Sequence, residues 1–374
     1  MPRLASIDLS GFKSIGLSQH LELNEITILL GANGAGKSNL ISFLKLLNSL
    51  VSDGLQYFVA KNGMADAICH FGAKTTQVIP FQITLSDADK LYAYQAELAY
   101  GIPNTLFFSK EMIHVLSHGK SILDQRVISQ NPRESVLLDE PLGKTPLDIA
   151  LKTIRNILKK CQIYQFHDTS ESSRLRNGCY IEDNYGLKQD AGNLPAFLYA
   201  MRTHRPNYYR RILEHIRAII PQFVDFHLEP SANDSTSILL NWIGERGHDY
   251  LLGPHQLSDG SLRYIALTTL LLQPQETLPD IIVLDEPELG LHPAAIVSLA
   301  EMVNLASQHC QIMLATQSAA LVNQFQPQQI AVIEYNRQKG ETEFSRLNRD
   351  SINLWLHDYS LGELWDKNVL GGRP

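Results

Sequence analysis

The sequence has little cysteine, no long apolar segment and no excess of basic residues, and each absence excludes a class of protein. Its four cysteines in 374 residues form no CxxC pair, which favours reduced thiols in a cytoplasmic protein over a disulfide framework. No apolar run approaches the roughly 20 residues of a membrane-spanning helix, and the first residues lack the apolar core of a signal peptide. The formal net charge of −7 excludes a uniformly basic coat for nucleic acid and confines any such contact to a local patch.

A glycine-rich loop is the most informative segment. Residues 31–38, GANGAGKS, fit the pattern GxxxxGK[ST]. The apolar residues 25–30 before the loop predict a buried strand. After it, apolar residues recur at spacings of three and four from Leu40 to Val51, which predicts an amphipathic helix. Strand, loop and helix therefore follow in the order that a phosphate-binding P-loop requires.

The chemistry of this loop follows from its composition. Glycines let the backbone wrap a phosphate so that several N–H groups point inward, and the helix N-terminus adds a partial positive charge. Lys37 is placed to reach the β- and γ-phosphates, and the Ser38 hydroxyl to bind Mg²⁺. The loop thus predicts a nucleoside triphosphate with Mg²⁺ as its ligand.

Two strings could supply the carboxylates that such a site needs at the end of a strand. Residues 136–143 read VLLDEPLG and residues 281–290 read IIVLDEPELG. The second has the longer β-prone lead, so we expect the first to be a loop or strand end. In the second string Asp285 is the expected Mg²⁺ ligand and Glu286 the expected general base.

Three further motifs stand around Asp285 in a fixed order. Residues 257–263, LSDGSLR, resemble the LSGG-type signature of ABC-type ATPases, although Ser258 could equally serve as a helix N-cap. Residues 288–293, ELGLHP, resemble the D-loop of the same class. Residues 311–318 predict a strand that ends in a switch, where Gln317 stands in place of the usual histidine and removes a titratable group.

Taken together, the motifs make the chain resemble an ABC-type AAA family ATPase of the RecF/SMC/OLD group. Residues 7–14, IDLSGFKS, are similar to the first strand and FKS turn of that group, and residues 359–374 resemble those of a bacterial subfamily of stand-alone predicted ATPases. The implied fold class is α/β, an ABC-type P-loop NTPase head with a compact mixed α/β lid insertion. The implied cofactors are ATP and Mg²⁺.

The resemblance also implies roles for individual residues. Catalysis would involve Glu286 and Gln317. Two heads would sandwich two ATP molecules, so that Ser258 and Gly260 of one copy contact the γ-phosphate held by the other, and a homodimer is expected. The remaining ATP contacts would come from Lys13, Asn33, Gly34, Ala35, Gly36, Lys37, Ser38 and Asn39.

A Q-loop residue is expected where the head meets its insertion. Residues 162–166 predict a strand, and His167 follows it. Gln165 or His167 could contact Mg²⁺ or its water, while a lone histidine after a strand is more often structural. The sequence leaves the choice between them open.

The long interval between the P-loop and the signature indicates an insertion without coiled-coil arms, because no heptad pattern persists. We expect a strand at 78–85, a helix at 146–160, a helix pair at 194–219 broken at Pro206, and strands at 225–228 and 237–242. The predicted division is 1–52 for the first half of the head, 53–250 for the inserted strands and helical lobe, and 251–374 for the second half.

Two basic runs lie inside this insertion. They are a candidate DNA contact or, equally, solvated faces paired with acids. The first could add base stacking through Tyr208 and Tyr209. Its arginines are Arg202, Arg205, Arg210, Arg211 and Arg217, and the second run holds Lys152, Arg155, Lys159 and Lys160.

The motif set predicts an ATP-driven switch that dimerises on ATP and acts on DNA or on a separate, nuclease-like effector, in DNA repair or anti-phage defence. Too few residues follow Ser318 for a Toprim nuclease, and 86–89, SDAD, is expected to be a loop. No HxH, HExxH or Cys/His cluster indicates another metal centre. The alternatives are the nucleotide-binding subunit of a membrane transporter, which the long insertion argues against, and a structural partner whose ATP site regulates assembly.

Overall fold

The structure is a computed structural model that describes residues 2–117, 119–127, 132–231, 234–245, 250–347 and 352–372. The chain forms two compact units. Unit 1 comprises Met1–Ile163, Pro279–Val283 and Gln311–Pro374, and unit 2 comprises Tyr164–Leu278 and Leu284–Cys310.

Unit 1 contains a six-stranded antiparallel sheet in the order β2-β1-β4-β5-β6-β7. Alternate side chains of these strands are buried, as expected when one face of an antiparallel sheet covers a core. The strands are β1 (Arg3–Leu9), β2 (Gln19–Glu22), β4 (Val78–Asp87), β5 (Lys90–Gly101), β6 (Thr105–Ser117) and β7 (Lys120–Val127).

A second six-stranded sheet has the order β18-β17-β3-β16-β15-β8, and its β3 pairs in parallel with both β16 and β17. The middle strands are buried on both faces, which explains their unbroken apolar sequences. The last residues of β8 and β15 are counted with unit 2. The strands are β3 (Ile26–Leu30), β8 (Cys161–Tyr164), β15 (Ile281–Asp285), β16 (Gln311–Thr316), β17 (Ile330–Asn336) and β18 (Glu341–Arg346).

The four helices of unit 1 that precede residue 160 contribute to one apolar core. The first of them packs on the antiparallel sheet through Phe43, whose ring meets Phe12 at 5.7 Å and Phe81 at 5.3 Å between centroids, both edge to face. The helices are α1 (Lys37–Val51), α2 (Leu55–Lys61), α3 (Met64–Ile68), α4 (Pro146–Lys159), α9 (Ala319–Val322) and α10 (Leu361–Asp366). The helix that follows the P-loop is therefore anchored on its apolar side.

Unit 2 combines four helices with two small antiparallel sheets. Its helices are α5 (Leu194–His204), α6 (Pro206–Ile219), α7 (Asp259–Leu272) and α8 (Pro293–Ala306). One sheet has the order β10-β13-β14 and the other β11-β12-β9. The strands are β9 (Cys179–Tyr180), β10 (Phe223–His227), β11 (Pro230–Ser231), β12 (Asp234–Ile238), β13 (Asn241–Gly244) and β14 (Leu251–Leu252).

Most elements predicted from local patterns are present. The strand and helix around the P-loop, the 146–160 helix and the helix pair broken at Pro206 are confirmed. Residues 136–143 contain neither helix nor strand, as expected for the rejected carboxylate string. Of the predicted family-like residues 359–374, the structure describes those up to residue 372.

Two predictions of local structure were wrong. Residues 86 and 87 end strand β4, and only 88–89 form the turn, because a tight hairpin joins β4 to β5. The expected single strand at 237–242 is two strands, β12 and β13, which pair in different sheets.

The boundaries of the compact units differ from those of the predicted three-part division. Residues 53–163 belong to unit 1, because β4 pairs with β1 and continues its sheet.

Candidate functional site

The P-loop of unit 1 has the backbone geometry that its sequence predicts. Gly36 has a φ of +112°, and a Cβ there would lie 2.2 Å from Oγ1 of Thr342. Both its conformation and its space therefore require glycine. The buried Lys37 ammonium donates to the carbonyl oxygens of Gly31 at 2.6 Å and Ala32 at 3.1 Å, which holds it against the loop.

A chain of neutral hydrogen bonds supports this loop from behind. The amide of Asn39 donates to Oγ of Ser14 at 2.6 Å, and Oγ1 of Thr342 donates to the Ala35 carbonyl at 2.9 Å. The two hydroxyls are 2.7 Å apart. Since each hydroxyl has one proton, Ser14 must donate to Thr342. The sequence contained no signal for Thr342.

Lys13 lies beside α1, in the FKS turn. Its φ is +50°, and its ammonium donates to Oγ of Ser42 at 2.7 Å. Burial, with a smaller contribution from Lys45, lowers the pKa of Lys13. The predicted ATP contact of Lys13 would therefore come from a partly desolvated ammonium fixed on the first turns of α1.

The switch residue follows strand β16. Gln317 is exposed immediately after Thr316, and the Ser318 N–H donates to Oγ1 of Thr316 at 2.9 Å. Ser318 then caps α9, because its hydroxyl accepts from the Leu321 N–H. The side chain of Gln317 thus leaves the sheet at a defined turn of the backbone.

The predicted carboxylates lie in unit 2. Asp285 is the last residue of β15, and its Oδ2 accepts from Nε2 of Gln165 at 3.0 Å. His167 donates from Nε2 to the main-chain oxygen of Asp285 at 2.7 Å. Of the two Q-loop candidates, Gln165 therefore meets the carboxylate, while His167 holds the backbone. Glu286 has a φ of +42°, a strained conformation for a residue with a side chain.

The signature loop caps α7 and approaches the D-loop closely. Oγ of Ser258 accepts from the Ser261 N–H at 3.1 Å, so Ser258 is the N-cap. A Cβ on Gly260 would lie 2.3 Å from the carbonyl oxygen of Gly290, so only glycine fits there. The predicted signature glycine thus has a packing role within unit 2.

Arg176 holds the signature loop in place. Its buried guanidinium donates to the carbonyls of Thr169 at 2.7 Å, Pro254 at 2.6 Å and Leu257 at 3.1 Å. It also donates to Oδ1 of Asp259 at 2.7 Å. This bond, followed by one from Thr169, lowers the pKa of Asp259. No motif in the sequence pointed to Arg176.

A second buried arginine, Arg263, joins three segments of unit 2. It donates to the carbonyl oxygens of Phe166 at 2.8 Å, His167 at 3.2 Å and Leu289. Burial lowers its pKa, although the guanidinium stays protonated at any physiological pH. The signature helix is thereby tied to the segment after β8 and to the D-loop.

Three arginines of the predicted basic patch have partners within unit 2. Arg202 donates to the Leu228 carbonyl at 2.6 Å, Arg205 pairs with Glu276 at 2.9 Å, and Arg217 donates to the Val224 carbonyl at 2.7 Å. Tyr209 is buried and donates to Asp225, so its predicted stacking on bases was wrong. The DNA contact of all five arginines, including Arg210 and Arg211 on α6, stays a prediction.

The second basic run lies in unit 1, on α4 and immediately after it, so the two runs belong to different units. Lys152 pairs with Glu140 at 3.8 Å and Lys160 with Asp280 at 3.2 Å. Across the described residues, no group of three or more His, Cys, Asp or Glu side chains could hold a metal ion. In the same residues no helix is long and apolar enough to cross a membrane.

Comparisons with known proteins bear on this architecture. Residues 166–323 match the family described as an AAA domain, putative AbiEii toxin, Type IV TA system. No curated protein matches the chain. An Smc head bound to the C-terminal winged-helix domain of ScpA aligns over 94% of this chain and 99% of its own, with a TM-score of 0.58 at 15% identity. An Smc head domain with an extended coiled coil, bound to the C-terminal domain of ScpA derived from Pyrococcus furiosus, aligns over 96% and 99%, with a TM-score of 0.58 at 13% identity.

The chain has the fold of an SMC head. This is the ABC-type P-loop ATPase fold, so the predicted fold class is confirmed. The family match and the structural matches also support the predicted resemblance to ABC-type, SMC-like ATPases.

Proposed function

We propose that this protein binds and hydrolyses ATP with Mg²⁺. The observation that carries the proposal is the geometry of the P-loop 31–38, which lies between β3 and α1. The positive φ of Gly36 and the Lys37 ammonium held against the loop suit the binding of a triphosphate. The AAA family match and the SMC-head fold support the same activity.

Phosphate binding is assigned to the loop amides, Lys37 and Ser38. Mg²⁺ would be held by oxygen atoms of Asp285, Gln165 and Ser38, because this ion prefers hard oxygen ligands. The Asp285–Gln165 hydrogen bond supports this pairing, because it fixes the carboxylate at the end of β15. Mg²⁺ would supply neutralisation of charge on the phosphate oxygens.

Glu286 is the proposed general base. Its carboxylate would accept a proton from the attacking water, while Lys37 stabilises the charge that develops on the phosphate oxygens. The left-handed backbone of Glu286 supports a functional role, because strain of this kind concentrates at active sites. Gln317 would donate a hydrogen bond to the γ-phosphate or the water, without changing charge across physiological pH.

We further propose that ATP joins two copies of the chain. Ser258 and the first N–H groups of α7 would contact the γ-phosphate bound by the other copy, as the resemblance implies. The positive end of α7 supports this role. Asp259 in its first turn would repel a phosphate, and the bond from Arg176 offsets that charge.

The dimer would act as a switch on DNA or on a separate, nuclease-like effector, in DNA repair or anti-phage defence. The matched family's description as a putative toxin of a Type IV TA system supports a defence context. The two SMC heads, each bound to a ScpA domain, support a protein partner. A salt-sensitive DNA shift that the Arg210→Ala/Arg211→Ala double variant loses would favour DNA, and an undiminished shift would remove this patch.

The experiment that tests the activity is Lys37→Ala. We expect this variant to lose nucleotide binding, measured with a fluorescent ATP analogue, and to lose Mg²⁺-dependent phosphate release. Lys45→Ala is the matched control, since Lys45 lies on the same helix and is exposed. Equal activity in the two variants would refute the assignment of the loop.

A further inference from the structure

The segment 360–372 folds onto unit 1 as a well-defined element. Ser360 and Glu363 form a capping box that starts α10. After α10 ends at Asp366, Asn368 and Gly371 take positive φ values that turn the chain back. Most of its apolar side chains are buried, namely Leu361, Leu364, Trp365 and Leu370, while Val369 is exposed.

One end of the segment is bonded to the switch. The indole Nε1 of Trp365 donates to the main-chain carbonyl of Gln317 at 3.2 Å. The Gly362 N–H donates to Oδ1 of Asn323 at 2.6 Å, immediately after α9. The backbone that carries the Gln317 side chain is thus held from the segment side.

The other end is bonded to the P-loop. The carbonyl of Gly372 accepts from the Ala32 N–H at 3.0 Å. Gly372 also borders a cavity of about 120 Å³ that the loop residues 32–35, Tyr335 and Arg337 complete. One short segment of the chain therefore contacts the main chain of both motifs.

We propose that the segment 360–372 is a positioning element of the nucleotide site, in which Trp365 orients the switch residue Gln317 and Gly372 fixes the backbone of the P-loop. The proposal rests on the ATPase activity proposed above. Neither residue reaches the reacting atoms: the indole orients the turn that aims Gln317, and the Gly372 carbonyl fixes the first turn of the phosphate loop. Two separate effects follow, one on the rate of hydrolysis and one on nucleotide affinity.

The first test is Trp365→Phe, which keeps an aromatic ring but removes the indole donor. We expect kcat to fall about two- to tenfold, the effect of one hydrogen bond, with the Kd for an ATP analogue unchanged. Trp355→Phe is the matched control. Its indole is half exposed and lies 6.2 Å from the Tyr359 ring, tilted by 42°, and among the described residues it makes no hydrogen bond to the switch, so the kcat of this variant should equal that of the wild type.

The second test is Gly372→Ala, compared with Gly371→Ala. Both glycines have nearly equal φ values, +79° and +77°, so the backbone strain of an alanine is matched. A Cβ on Gly372 would meet Cγ1 of Val332 at 2.8 Å, whereas one on Gly371 would meet only Oε2 of Glu334 at 3.4 Å. We expect Gly372→Ala alone to weaken nucleotide binding, by about two- to tenfold.

The outcomes separate this proposal from the activity on which it rests. If Trp365→Phe matches Trp355→Phe, or if Gly372→Ala matches Gly371→Ala, the shared support of both motifs is overturned. A loss of active fraction, seen as fewer bound nucleotides per chain at unchanged KM, would show a merely structural role and overturn it as well. If hydrolysis requires Lys37 but the variants of segment 360–372 behave like the wild type, the proposed ATPase function stands and only the role of the segment is overturned. If the wild type shows no Lys37-dependent hydrolysis, both proposals are overturned.

Discussion

The P-loop of unit 1 and the signature loop of unit 2 are supported by different chemistry. Behind the P-loop, Asn39, Ser14 and Thr342 form a chain of neutral hydrogen bonds. Behind the signature loop, Arg176 donates to three carbonyls and one carboxylate. Both loops are fixed by their neighbours, but the chain behind the P-loop is neutral, whereas the group behind the signature loop is a buried guanidinium.

The difference follows from the charge that each loop already carries. The P-loop presents amides and a lysine, so a neutral support adds no charge beside them and leaves its attraction for phosphate intact. The signature loop contains Asp259, whose negative charge would oppose an anion at the start of α7. The buried guanidinium of Arg176 both donates to the loop carbonyls and offsets the charge of Asp259. A neutral donor could bond the carbonyls but could not offset the charge.

The largest effect should come from a substitution that blocks hydrolysis, the proposed task of Glu286 in unit 2, but keeps ATP binding, the proposed task of the P-loop in unit 1. We expect Glu286→Gln to lower ATP hydrolysis by about 10²- to 10⁴-fold, the range for loss of a general base, while ATP binding is kept. Bound ATP should then trap a dimer, measured by size-exclusion chromatography coupled to light scattering. Glu301→Gln, an exposed change on α8, is the control. Hydrolysis at the wild-type rate would show that Glu286 is not the base.

A large loss of stability should follow removal of the charged support. In Arg176→Met the three carbonyls lose their donor, so we expect the free energy of unfolding to fall by about 2–4 kcal/mol. Urea denaturation measures it. Arg174→Met is the control, because Arg174 is exposed and pairs only at the surface with Asp190, which predicts a loss below about 1 kcal/mol. Equal losses would mean that Arg176 is no more than a surface pair.

The loops themselves were predictable from the sequence, whereas their supports were not. The P-loop and the strand before Asp285 carry local patterns of composition and spacing, and local patterns report local structure. Thr342, Arg176 and Trp365 act by bonding main-chain carbonyls of segments far away in the sequence. Nothing at those positions distinguishes them before the chain is folded.

The β5–β7 strands were missed for a different reason. In β6 a bulge opposite Glu97 and Leu98 of β5 shifts the buried positions from Leu106 and Phe108 to Glu111 and Ile113, which breaks the alternation. At the Q-loop, the sequence singled out Gln165 or His167 as a contact of Mg²⁺ or its water but could not say which atoms they meet. Geometry separated a contact with the carboxylate from a contact with the backbone.

A smaller effect should come from breaking the neutral support. In Thr342→Val the shape is kept but the Ala35 carbonyl and the Ser14 hydroxyl lose their partner, so we expect a loss of about 1–2 kcal/mol together with weaker nucleotide binding. Thr269→Val is the matched control: this threonine is equally buried, but its hydroxyl bonds only its own helix, at Ile265. If both variants bind nucleotide equally well, the chain behind the P-loop does not shape it.

The smallest effect tests the charge in unit 2 by titration. Because Arg176 holds the pKa of Asp259 below its usual value, the folded state binds the Asp259 proton less readily than the unfolded chain. The carboxylate therefore stabilises the fold at any pH above its unfolded pKa of about 3.9, and this contribution is lost as the pH falls through the folded value. We expect the difference in Tm between wild type and Asp259→Asn to shrink as the pH is lowered below about 3.9. Asp190→Asn is the control, and a constant difference for Asp259→Asn would show that the charge of Asp259 does not contribute to holding the signature loop.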